Sequence, residues 1–142
     1  MLEQYLTGNE TDFLIKLAIA TVAGVSIGVE RESRGKVAGT STHTLVIAGS
    51  MLFTMLSLAM NPQVPSQIAA AIVTGIGFLG AGIILKEGDG KIINVTTAAS
   101  IWFAAGIGIA IGFNWYGIAL ISTVFSVLTP RIHHYLGANK ST

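Results

Sequence analysis

The chain has 142 residues, 51% of them hydrophobic and only 11% charged, with a net charge of +1 and no cysteine. A soluble domain carries roughly a quarter charged residues, so there are too few charges here to cover a water-facing surface, and no basic stripe faces nucleic acid. Without cysteine, disulfides, thiolate metal sites and cysteine nucleophiles are excluded.

The first twelve residues carry Glu3, Glu10 and Asp12 and no Lys or Arg. This is the reverse of a secretory signal's positive start, so the first apolar segment is expected to stay in the mature protein. That segment, residues 13–29, is broken only by Lys16. At 1.5 Å per residue it spans roughly 25 Å, close to the ~30 Å of a bilayer core. It ends in Glu30-Arg31-Glu32-Ser33-Arg34-Gly35-Lys36, the densest charge cluster. A second apolar segment, 42–60, stops at Asn61-Pro62, where proline forbids helix continuation. A third, 67–85, runs into Lys86-Glu87-Gly88-Asp89-Gly90-Lys91. A fourth covers 94–113 and is followed by Asn114-Trp115-Tyr116-Gly117; a fifth and shortest, 116–129, closes at Pro130. The pattern predicts an all-α polytopic transmembrane bundle of five spans. Short loops make it one domain over 1–142, with consecutive helices as antiparallel neighbours.

Seven of the eight Lys and Arg residues (Arg31, Arg34, Lys36, Lys86, Lys91, Arg131 and Lys140) fall on one side of this topology. Positive loops stay in the cytoplasm, which puts the amino terminus outside and the carboxyl terminus inside. Lys16 is expected near the outer surface with Asp12 four residues earlier as its ion-pair partner. Trp115 and Tyr116 stand where interfacial aromatic anchors are expected.

Small residues at i, i+4 let membrane helices approach closely. Gly24 and Gly28 form such a pair, and Ser100, Ala104, Gly108 and Gly112 form a ridge along the fourth segment. Gly75-Ile-Gly77-Phe-Leu-Gly80 matches a dinucleotide-binding fingerprint, but it lies in a membrane-length apolar run with no strand before it. Gly77 and Gly80 are read as packing positions. Thr96 and Thr97 are placed to hydrogen-bond across helices. His43, between Thr42 and Thr44, reads as a hydrogen-bonded interfacial residue, and the adjacent His133 and His134 point ~100° apart on a helix and make a poor chelating pair. The first and third loops share one face, so Glu30, Glu32, Glu87 and Asp89 either pair with the neighbouring basic side chains or supply oxygen ligands for Mg²⁺ or Ca²⁺. Nothing resembles a nucleophile triad or a phosphate loop, so no enzymatic role is expected.

The runs LAIATVAGVSIGVERESRGKVAGTSTHTLV, GIGFLGAGIILKEG and TTAASIWFAAGIGIAIG resemble the membrane domain of the MgtC/SapB family over roughly residues 12–130. The resemblance marks Glu30, Arg31 and Glu32 in one motif, Gly39, Thr42 and His43 in a second, and Glu87 in a third. This chain has Ser41 where the family commonly has Arg, and Thr96 and Phe103 where virulence-type members carry Asn and Cys. About a dozen residues follow Pro130, so the soluble ACT-type domain of many members is not expected here. The resemblance implies a multi-pass protein of a bacterial or archaeal cytoplasmic (inner) membrane, concerned with Mg²⁺ homeostasis or adaptation to low Mg²⁺. It would act through its cytoplasmic face by binding partners or sensing conditions. Its expected partners are the lipid bilayer, a second copy in a homodimer, and another membrane protein such as an ATP synthase; Mg²⁺ is the candidate ion. A small oligomeric Mg²⁺ or other cation transporter is the alternative.

Overall fold

A computed structural model describes residues 8–86 and 91–137. Five helices follow in order: α1 Glu10–Ser33, α2 Thr40–Met60, α3 Ser66–Ile83, α4 Val95–Gly112 and α5 Tyr116–Gly137. Between α3 and α4 the chain makes a two-residue hairpin, β1 Leu85–Lys86 against β2 Ile92–Ile93, where the sequence predicts a plain loop. Glu3, Glu87, Asp89 and Lys140 lie outside the described residues, as do the side chains of Lys86, His133 and His134. Helices α1 to α4 are long and apolar enough to cross a membrane.

The observed helices depart from the predicted spans at their ends. Helix α1 begins three residues earlier than expected and continues through Glu30-Arg31-Glu32, so that charge cluster is helical. Its last carbonyls are satisfied by the amides of Arg34, Gly35 and Lys36, with Gly35 at φ +64°, the left-handed closure that glycine allows without steric cost. Helix α5 runs through Pro130 to Gly137. A proline here removes one helical hydrogen bond, and membrane helices tolerate that.

Helix α4 is the centre of the bundle and touches all four other helices; Ile101, Ala104, Ile107 and Ile111 are almost fully buried in it. Helix α2 packs chiefly on α1 and α4 and only slightly on α3, which corrects the expectation that every consecutive pair is a close neighbour. The small ridge explains the exchange. A Cβ at Gly108 would strike the Ile47 carbonyl and Ser50, and one at Gly112 would strike Thr54. On the other side a Cβ at Gly24 would meet Thr44, and one at Gly28 would fall on the Thr40 backbone. Helix α2 is clasped between two glycine faces, close enough for backbone contact.

Helix α3 lies outside this clasp, with Gly80 its only buried residue. Gly80 sits 3.6 Å from the Ala98 methyl, measured from an ideal Cβ, whereas a Cβ at Gly77 meets nothing within 4 Å among the described residues. Asn94 holds α3 to α4: its backbone adopts φ +67° and its side-chain amide donates to the Ile83 carbonyl at 3.3 Å. Leu14, Val22, Leu45, Phe78, Leu120 and other large apolar side chains point outward, as expected of a lipid-facing surface.

Candidate functional site

Four of the buried polar and charged side chains lie together at the end where α1 finishes and α2 and α4 begin, while Lys16, Ser50, Thr54 and Ser57 are buried elsewhere in the bundle. Glu30, Arg31, His43 and Thr97 are each at most 4% exposed. Burying such groups is costly unless each finds a partner, so their partners define the site.

Arg31 extends from the last turn of α1 to α4, where its Nη2 donates to the Thr97 hydroxyl at 3.1 Å. His43, in the first turn of α2, makes the second link to α4. Its Nδ1 lies 2.9 Å from the Gly39 carbonyl and its Nε2 lies 2.6 Å from the Ser100 hydroxyl. A carbonyl only accepts, so Nδ1 donates; in the neutral ring Nε2 then accepts from Ser100. Thr97 and Ser100, three residues apart on α4, thus receive one side chain from each flanking helix.

The acids close the loop between α1 and α2. Glu30 pairs with Arg34 four residues on. Glu32 Oε1 accepts the amide hydrogen of Thr40 at 2.7 Å and caps α2, a role the side-chain-less Gly39 cannot fill. Gly39 contributes space instead, because a Cβ there would strike the Glu32 side chain. Among the described residues, three buried atoms lack a partner: Glu30 Oε2, Arg31 Nε and Thr44 Oγ1.

Of the residues marked in the sequence, Glu30, Arg31, Glu32, Gly39 and His43 come together with Thr97 in this network. Thr42 lies beside His43 on α2 and enters none of these bonds; Thr96 is exposed on α4. Glu30 and Glu32 each commit one oxygen to groups of their own loop. Among the described residues no three Asp, Glu or His side chains gather closely enough to hold a metal ion. A carboxylate site of the kind drawn from the sequence needs Glu87 and Asp89, outside the described residues.

Sequence reasoning took Ser100 for a packing residue, counted Arg34 only among the basic neighbours of the acids, and passed over Thr40. Two signals pointed to them: Arg34 stands at i+4 from Glu30, and Thr97 and Ser100 share one face of α4. At the opposite end Lys16 bonds Asp12 at 2.7 Å, as the spacing predicts. The lysine is itself buried, at 4% side-chain exposure, and Asp12 is the half-exposed member.

A family model described as the MgtC family matches residues 17–138. The chain is 41% identical over 134 residues to "Putative magnesium transporter YhiD" of Escherichia coli (strain K12), covering 88% of this chain and 62% of that protein. It is 41% identical over 112 residues to protein MgtC of Salmonella typhimurium (strain LT2), covering 79% and 48% respectively. With protein SapB of Bacillus subtilis (strain 168) it shares 36% identity over 129 residues, covering 84% and 56%. The chain therefore spans about half to three-fifths of these curated relatives. No solved structure matches.

Proposed function

The chain belongs to the MgtC family, and from that premise we propose that it is a non-enzymatic protein of the bacterial inner membrane, acting in Mg²⁺ homeostasis or adaptation to low Mg²⁺. It does so by binding a partner or sensing conditions at its cytoplasmic face. The observation that carries this reading is the network around Arg31 and His43. It joins α1, α2 and α4 at the end bearing Arg31, Arg34, Lys36 and Lys91, the cytoplasmic end by the positive-inside rule. Intramembrane charges mark functional sites more often than structural ones, and this one would couple the charged loop to the central helix.

In a host lacking its own family members, the chain is expected to restore growth at low Mg²⁺. The double variant Glu30→Gln, Arg34→Gln is expected to lose that rescue while reaching the membrane in equal amount; undiminished rescue would overturn the assignment of this face. The magnesium role in YhiD's name supports a second reading, direct Mg²⁺ transport. Sealed proteoliposomes separate the two. A sensor or partner-binding protein passes no Mg²⁺ above empty vesicles, and flux above that level selects transport.

A further inference from the structure

The Arg31 guanidinium has a second environment that the network leaves unexplained. Beside its bond to Thr97 it lines a cavity of about 200 Å³ between α4 and α5. The residue is 1% exposed and its Nε has no acceptor. No carboxylate among the described residues lies within ion-pair distance of it, because Glu30 turns to Arg34. A buried cation whose one hydrogen bond among the described residues goes to a neutral hydroxyl is an expensive arrangement. A water molecule would satisfy the Nε–H but add no negative charge to that of the neighbouring Glu30.

The wall of this cavity supplies further donors. Thr96 from α4 and Ser126 from α5 line it, and their hydroxyls have no hydrogen-bond partner among the described residues. The Ser100 and Thr129 hydroxyls, also on the wall, are already committed to His43 and the Phe125 carbonyl. The remaining wall is apolar and includes the tilted pair Phe103–Phe125, with ring centroids 5.7 Å apart. Arg131, exposed, follows the lining residue Pro130 on α5. A planar guanidinium with hydroxyl donors beside it matches a phosphate group, and basic pockets between helices on the cytoplasmic side suit phospholipid headgroups.

We propose that the α4–α5 cavity is a binding site for a phosphate group, held by Arg31 with Thr96 and Ser126, entering as the headgroup of an acidic phospholipid or as free phosphate. The inference does not depend on the Mg²⁺ reading, and either can fail alone.

The purified full chain is titrated with phosphatidylglycerol and with diacylglycerol, which lacks the phosphate, by native mass spectrometry, and its thermal unfolding in detergent is followed with added inorganic phosphate. Phosphatidylglycerol is expected to bind about tenfold or more tightly than diacylglycerol, the scale of one charge-assisted hydrogen bond. A stabilising shift with inorganic phosphate alone identifies the free anion as a ligand; preference for phosphatidylglycerol without that shift identifies the headgroup. Absence of both overturns the site. Removing Arg31 also cuts its link to α4, so the decisive variant is Ser126→Phe, which fills the cavity and keeps every charge. It is expected to lose the preference or the shift. A phosphatidylglycerol preference that survives Ser126→Phe belongs to the surface cations and overturns the proposal.

Discussion

Hydrogen bonds between membrane helices contribute on average about 0.6 kcal/mol, and at most ~1.7 kcal/mol, in double-mutant cycles. The His43–Ser100 bond is therefore worth less to the fold than the close approach that Gly28 permits. Forcing a methyl group onto the Thr40 backbone requires α1 and α2 to separate, and overpacking of this kind costs ~1–3 kcal/mol. Gly28→Ala is expected to lower the thermal unfolding midpoint in detergent markedly. Gly77→Ala, which places its methyl group in open space, should leave the midpoint unchanged or raise it slightly, since Ala favours a helix over Gly by ~0.5–1 kcal/mol. Equal effects at the two positions would refute the α1–α2 glycine contact. Both glycines look alike in the sequence. A small-residue pattern marks positions able to pack, and the neighbour that uses them is decided by which faces meet.

Among the elements, α3, like α5 with its one buried described residue Ala119, is held more weakly than α1, α2 and α4. It is apolar enough to span, yet almost nothing of it is buried, and its attachment to α4 relies on the junction at Asn94. A non-glycine residue in the left-handed region costs ~1–2 kcal/mol. Asn is among the few that visit it, and here its side chain also bonds the Ile83 carbonyl. Asn94→Gly should therefore be mild, removing one hydrogen bond but keeping the turn. Asn94→Val should be worse by about that strain, read as a lower unfolding midpoint; if Val is no worse than Gly, the backbone conformation does not matter. The existence of all five helices was legible from apolar runs and their breakers, although only α1 to α4 are long and apolar enough to cross lipid. The continuation of α1 through its charges and of α5 through Pro130 was not. A charged turn can stay helical when its side chains pair along the helix, as Glu30 and Arg34 do, and when a neighbour takes the rest.

For the whole molecule, orientation is the property most directly open to test, and the lack of native cysteine gives a clean background. Val37 lies exposed in the loop after α1, and Gln63 in the turn between α2 and α3. In intact cells a membrane-impermeant maleimide should label Gln63→Cys and spare Val37→Cys until the membrane is opened; the reverse pattern would invert the topology and move the proposed working face outside. By itself the sequence determined the membrane setting, the number and approximate limits of the helices, the family, and the side on which charge collects. Those follow from the cost of placing polar groups in lipid, which acts on each segment separately. Only the tertiary structure decided that α4 is the hub and that α2 is clasped between α1 and α4 while α3 stands aside. It also decided that Arg31 and His43 meet Thr97 and Ser100. These depend on which helix faces share a surface, a property of pairs of segments that one segment's apolar pattern does not contain.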